Sequence, residues 1–301
     1  MPTPGPGRLG TVVCAMVTPF DESGALDLNG AAELARWLVA NGNDALVVCG
    51  TTGESPALSD TEKVDLWRTV AGAVDVPVVA GTSTADTAHS VELTRAAVAA
   101  GVTGILAVTP YYNRPSQSGI EAHMRAIGAA AGDLPVWLYD IPVRTGRRVA
   151  PEVIWRLAGD GVIAGVKDAT ADPAGAARLV AGAPAGFELY SGNDGDTLPL
   201  LAVGACGVIS VESHWAGRLL AQMAEAFWKG DVEGARAVNA SLISSHRFQS
   251  SDDAPNPIPT KAVLRALGRP AGQCRLPLGP APSGIDEAAT TLLRELELLN
   301  V

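Results

Sequence analysis

Eight times along this 301-residue chain, a short run rich in Val, Ile and Leu is followed by a longer stretch whose apolar residues recur at nearly the helical period. The strand runs fall at 11–17, 45–49, 76–80, 104–108, 135–139, 162–166, 187–190 and 207–211. The helical patterns follow at 31–40, 60–73, 85–100, 119–131, 151–157, 173–181, 197–203 and 217–228. Eight evenly spaced strand–helix units are what a closed parallel barrel needs, so the expected fold is an α/β class (β/α)₈ TIM barrel. A doubly wound open sheet is the alternative, and even spacing favours closure. Helical patterns at 231–249, 257–267 and 284–299, with a Pro-rich joint at 254–259, predict extra C-terminal helices packed on the barrel. The expected organisation is a barrel over 1–229 and a helical extension over 230–301.

Apolar residues make up 47% of the chain and charged residues 18%, below the roughly 25% usual for soluble domains. A large core, an oligomer interface, or both would use that surplus. The net charge of −10 argues against a nucleic-acid surface, which needs clustered Lys and Arg. No apolar run is long enough for a membrane span, and the Pro- and Gly-rich start lacks a signal-peptide core, so a cytoplasmic location is expected. Cys14, Cys49, Cys206 and Cys274 have neither metal-ligand nor CxxC spacing, which predicts small core residues in a reducing compartment and no metal.

In barrels, chemistry sits where strands end. The sharpest signal is Lys167, which follows the sixth apolar run without a break in Gly165–Val166–Lys167–Asp168. Burial there favours the neutral amine, the nucleophile for a Schiff base; a salt bridge to Asp168 is the competing reading. After the second run, Gly50–Thr51–Thr52–Gly53–Glu54 suits either an anion-binding turn or an ordinary strand–helix turn. Tyr111, Tyr112 and Tyr139, three of the chain's four tyrosines, fit proton relay or core packing. Arg144 has the fork that grips a carboxylate, unless it is merely a solvated loop charge. His89 and His123 read as helix-surface residues.

Taken together, Val17–Thr18–Pro19–Phe20, Gly50–Glu54, Tyr111–Tyr112, Tyr139, Lys167 and Pro257–Ile258–Pro259–Thr260–Lys261 make the chain resemble the dihydrodipicolinate synthase/N-acetylneuraminate lyase family of class I pyruvate aldolases, over nearly its whole length. Tyr-Tyr-Asn-Arg-Pro and Arg144 in Pro-x-Arg-Thr-Gly look like the dihydrodipicolinate synthase branch. The resemblance implies that Lys167 forms an imine with pyruvate while Thr52 and the Gly53 backbone hold its carboxylate. It implies that Thr51, Tyr139 and Tyr112 relay protons, with Tyr112 reaching a neighbouring subunit's site. Arg144 would bind the carboxylate of aspartate semialdehyde, and Gly192 and the Ile209 carbonyl would line the pocket. The product would be 4-hydroxy-tetrahydrodipicolinate, on the way to diaminopimelate and lysine, with no cofactor or metal, on a homotetramer built as a dimer of dimers. Another class I pyruvate aldolase, acting on a sugar acid or a hydroxy-oxo acid, is the alternative; a catalytically silent acid-binding relative is a third reading.

Four departures matter. Glu212, His214 and Trp215 stand where the family has smaller residues, and are expected to reshape the second-substrate pocket. Asp140 replaces a frequent Asn, and Asn193 a usual acid. At the positions of the family's lysine-feedback pocket stand Asp60, Lys63, Ala85 and His89 rather than the inhibitable type's histidines, Asn and Glu, which predicts weak or absent inhibition by lysine.

Overall fold

Parallel strands buried on both faces need a cover of helices, and the alternation in the sequence supplies one after each strand. The computed structural model describes residues 5–299. Its eight strands close on themselves in sequence order, with β1 paired to β8 and every pairing parallel. The strands are β1 (Val12–Ala15), β2 (Ala45–Val48), β3 (Val78–Gly81), β4 (Gly104–Val108), β5 (Val136–Asp140), β6 (Gly165–Asp168), β7 (Glu188–Ser191) and β8 (Gly207–Ser210).

The intervening helices are α1 (Leu28–Ala40), α2 (Asp60–Ala71), α3 (Thr87–Ala99), α4 (Gln117–Ala131), the short α5 (Pro142–Thr145), α6 (Pro151–Gly159), α7 (Pro173–Gly182), α8 (Thr197–Ala202) and α9 (Ser213–Trp228). Local chemistry sets their starts. Asp27, Asp86, Ser116 and Asp172 each cap the first turn with a side-chain oxygen, and Ser59 with Glu62 forms a capping box on α2.

Two apolar layers result. Between strands and helices lies the larger core, with Trp67, Leu34, Ile105 and Met124 among its buried members. Inside the barrel, Val13, Val47, Val79, Leu106, Trp137, Tyr190 and Ile209 pack in layers. The floor is closed by the N-terminal segment: Leu9 N–H donates to the Tyr190 hydroxyl at 3.1 Å, and that hydroxyl donates to the Gly10 carbonyl at 3.2 Å. Glu188 anchors the same floor, accepting from Arg8 N–H at 2.9 Å and Trp137 Nε1 at 3.0 Å.

Beyond the eighth unit come α10 (Val232–Ser241), α11 (Ile243–Phe248), α12 (Ile258–Ala266) and α13 (Ile285–Glu295). They share one core with α9 and with Val12 and Val208 of the barrel. The single helical pattern expected at 231–249 is divided at Leu242, whose φ/ψ of −89°/−1° turns the chain while its side chain stays buried. The sixth strand also begins later than its apolar run: the Val162 N–H folds back to the Leu157 carbonyl at 2.8 Å, finishing α6, and pairing resumes where Ala164 N–H meets the Val136 carbonyl. Lys167 therefore lies within the strand. Among the described residues no helix is long and apolar enough to cross a membrane.

Candidate active site

Side-chain alternation decides what faces the barrel interior. Register pairs Tyr139 of β5 with Lys167 of β6, and both turn inward at the strand ends. The Lys167 ammonium lies 4.3 Å from the centre of the Tyr139 ring, and only 5% of the residue is exposed. Asp168 points to the opposite face, taking the Thr170 N–H at 2.8 Å, so the Lys167–Asp168 salt bridge does not form. Desolvation pushes the amine down to about 8, partly offset by the Asp194 carboxylate and reinforced by the Arg144 guanidinium. Burial likewise pushes the Tyr139 phenol up to about 12, while Arg144 and a hydrogen bond from Thr51 pull the other way.

Above this pair opens a cavity of about 360 Å³, lined by Thr51, Tyr111, Tyr112, Tyr139 and Arg144 among others. Its β2 wall is an unusual turn. Cys49 and Glu54 take left-handed φ values of 59° and 54°, bracketing Gly50–Gly53. The turn fits because β3 ends in Gly81, where a Cβ would lie 2.4 Å from the Cys49 carbonyl oxygen. Within the turn, Thr52 and Gly53 are buried; the Gly53 carbonyl accepts from Thr18 Oγ1 at 2.6 Å. Ile209 lies on β8 in the same interior cluster as Tyr139. Like Lys167, Thr52, Gly53 and Ile209, Gly192 lies off the lining of this upper cavity, with its N–H on the Asp168 carbonyl at 2.6 Å. Tyr112, at φ 69° and 94% exposed, projects from the cavity rim into solvent.

Several contacts escaped the sequence reading. Asn256 Nδ2 donates to Thr52 Oγ1 at 3.0 Å, steering the hydroxyl proton of Thr52 away from itself. Lys261 is fully buried and pairs with Glu54 at 2.6 Å, while Arg275 N–H donates to the other Glu54 oxygen at 2.8 Å. The C-terminal extension thus braces the turn that carries Thr51 and Thr52. Asp194, buried beyond Asn193, accepts from Ser210 Oγ and from the Val211 and Glu212 amides and supplies the carboxylate nearest in effect to Lys167.

Other expectations are corrected. Glu212, His214 and Trp215 do not reshape the pocket, because α9 starts at Ser213 and turns them into the protein. His214 Nε2 accepts from Val17 N–H at 3.1 Å, Trp215 Nε1 donates to Ser245 at 2.7 Å, and Glu212 pairs with His246 at 2.9 Å. His123 is no surface residue: it is buried between the Ser83 and Thr87 hydroxyls, each at 2.9 Å, and desolvation pushes it down to about 4. Cys14, Cys49 and Cys206 are buried and unpaired, as their apolar settings predict. Among the described residues no three His, Cys, Asp or Glu side chains gather as a metal site.

A (β/α)₈ barrel with a desolvated lysine facing a tyrosine at the C-terminal ends of adjacent strands defines a lyase of the class I aldolase type. Comparison with known proteins narrows the class. The model of the Dihydrodipicolinate synthetase family matches residues 8–296, and the chain belongs to that family. It is 48% identical over 292 residues to the 4-hydroxy-tetrahydrodipicolinate synthase of Moorella thermoacetica, covering 96% of this chain and 99% of that one. Among solved structures it is similar to the dihydrodipicolinate synthase of Cyanidioschyzon merolae with lysine bound, at a TM-score of 0.93 and 39% identity over 97% of this chain and 100% of that one. A dihydrodipicolinate synthase from Bacillus anthracis matches at a TM-score of 0.91 and 39% identity, covering 95% of this chain and 98% of that one.

At the positions that the resemblance aligns with the family's lysine-feedback pocket, Asp60 holds His89 at 2.9 Å and Lys63 at 3.5 Å, and the Lys63 side chain is buried against the cavity. An ammonium already occupying this wall opposes the two amines of an incoming lysine. L-lysine at roughly 1 mM, a level where binding is worth about 4 kcal/mol, is expected to leave the initial rate unchanged. A steady-state assay with increasing lysine checks this, and inhibition in that range would refute it.

Proposed function

We propose that this chain condenses pyruvate with aspartate 4-semialdehyde to give 4-hydroxy-tetrahydrodipicolinate, the reaction named for its curated relatives. The observation that carries the reading is Lys167, buried without a salt bridge among the described residues, against Tyr139 and beneath a cavity lined by Thr51 and Arg144.

The neutral Lys167 amine attacks the pyruvate ketone. The carbinolamine loses water as a proton arrives through Tyr139, leaving an imine. Loss of a methyl proton gives the enamine, whose carbon attacks the semialdehyde carbonyl and forms the new C–C bond. The substrate's own amine then displaces Lys167 as the ring closes, returning the free lysine. The protonated imine is the electron sink, so these steps draw on neither metal nor cofactor. Thr52, oriented by Asn256, and the Gly53 amide hold the pyruvate carboxylate. Arg144, on the exposed rim, holds that of the semialdehyde. Gly192 and the Ile209 carbonyl complete the substrate-binding set.

Tyr112 is the reason to place this chemistry in a homotetramer arranged as a dimer of dimers. A tyrosine so exposed, held in a left-handed turn at the cavity rim, supports a role for Tyr112 in the Thr51–Tyr139 relay of a second subunit. A cytoplasmic location fits the buried free thiols.

The deciding experiment gives purified protein pyruvate with aspartate semialdehyde, and separately offers sugar acids for retro-aldol cleavage. Rapid consumption of the first pair is expected. Preferential cleavage of a sugar acid would transfer the chain to another pyruvate aldolase activity.

A further inference from the structure

Directly behind the Tyr139–Lys167 pair, on the outer face of the same strands, two carboxylates stand opposite each other. The next register pair after Tyr139 and Lys167 is Asp140 with Asp168. Their side chains turn toward α6 and α7, and their exposures are only 3% and 4%. They border a cavity of about 10 Å³, together with the Thr170 side chain; that is room for about one water. Asp140 Oδ2 accepts from Val149 N–H at 3.3 Å. Asp140 Oδ1 is buried with no hydrogen-bond partner, as is the Thr170 hydroxyl.

The charged surroundings are sparse. From β6 comes Asp168 itself. From the segment before α6 comes Arg148, whose guanidinium is drawn outward to Asp172 at 2.6 Å. Helices α6 and α7 face the cavity with Pro151, Ile154, Gly175 and Leu179 only. Two carboxylates in so dry a space repel each other, and an ionised Oδ1 without a donor is costly. A proton on Oδ1 removes one charge and turns an orphaned acceptor into a donor.

We propose that Asp140 is a positioning residue kept as a neutral carboxylic acid, whose Oδ1–H donates across the cavity toward Asp168, directly or through one water, and so holds β5 and β6 in the register that sets Tyr139 against Lys167. The proposal rests on the catalytic reading of Tyr139 and Lys167. Burial, and then the nearby Asp168, push the acid up to about 7, against the Val149 amide and Arg148.

The sign of the pH effect follows. The acid's folded pKa lies above its unfolded value of about 3.9. Its contribution to stability is therefore full below about pH 4 and is lost as pH rises to about 7. An amide donates at every pH, so Asp140→Asn isolates this loss.

Thermal melts of wild type and Asp140→Asn between about pH 4.5 and about pH 8.5 should show the variant gaining on wild type by several degrees as pH rises, with the gap levelling above about pH 7. At neutral pH the variant should keep kcat within about twofold, and Asp140→Ala should lose roughly tenfold to a hundredfold, the scale of a misplaced catalytic group. Parallel melting curves for wild type and Asp140→Asn overturn the proposal. So does an Asn variant as impaired as the Ala variant. So does wild-type stability that depends on added Na⁺ or K⁺ and loses that dependence in Asp140→Asn, which would make the pair an ionised cation cradle. If Asp140→Ala does not fold, the Asn melts alone decide. The melts involve no substrate, so a failed pyruvate adduct would sink the catalytic reading and leave this result standing.

Discussion

Lys167→Met is expected to abolish turnover and at the same time raise the melting temperature at neutral pH. The loss follows from the chemistry: without the amine there is no imine, so kcat should drop by roughly four orders of magnitude or more. The gain follows from burial. Desolvation holds the amine near 8 against an ordinary value of 10.5, so the native state carries a penalty for charging Lys167 that the unfolded chain does not. The penalty is complete below about pH 8 and fades as pH rises to about 10.5; at neutral pH it is on the order of 3 kcal/mol. Met fills a similar volume without a charge, and Asp194 keeps its three donors from Ser210, Val211 and Glu212. The variant should therefore melt several degrees higher at pH 7, with the advantage shrinking toward pH 10. Calorimetry across this range and borohydride trapping with labelled pyruvate check both halves. A wild-type adduct located elsewhere than Lys167, or a variant that turns over, would remove the proposed nucleophile.

The same shift gives the wild type a working advantage. With its pKa near 8, roughly a tenth of the amine is neutral at pH 7. An unshifted lysine would present less than about a thousandth. The protein accepts instability at one buried position in exchange for a nucleophile, and a core that is largely apolar around the barrel tolerates it.

How far such a site can be read from sequence depends on the range of its contacts. The strand–helix alternation and the placement of Lys167 after an apolar run are local patterns, and the barrel and its inward lysine follow from them. Recognition of the family added the roles of Thr52, Arg144 and Tyr112, which spacing alone left open. Contacts between distant segments were not legible. Asn256 meets Thr52 across 204 residues, and Lys261 reaches Glu54 from a helix beyond the barrel. Neither has a periodic signature; an Asn before Pro-Ile-Pro and a Lys in an apolar helix are the only hints. The misplacement of His214 and Trp215 has the opposite cause. The family's pattern of smaller residues points to the pocket, whereas α9 starts within three residues of β8 and withdraws both rings. The burial of His123 has no local signature, because the hydroxyls that satisfy it, Ser83 and Thr87, lie on another strand–helix unit.

Tyr139→Phe and Thr51→Val should each cost about 10²–10⁴ in kcat/KM, and the double variant should cost little more than the worse single one. Burial keeps the Tyr139 phenol neutral at working pH, up near 12, so it both accepts and donates a proton. Thr51 stands close enough to pull the phenol's pKa down, and the two border the same cavity above the Lys167 amine. A relay fails when any one member is lost, so losses along it do not add, whereas two independent binding contacts more than about 7 Å apart would. Both replacements conserve side-chain volume, so the barrel should stay folded, and the Lys167 adduct should still form, but slowly, because carbinolamine dehydration needs the proton that Tyr139 brings. Single-turnover trapping of the imine, run beside steady-state kinetics for all three variants, separates the steps. Strictly additive losses, or an imine that forms in Tyr139→Phe at the wild-type rate, would show that the phenol packs against the lysine without carrying its protons.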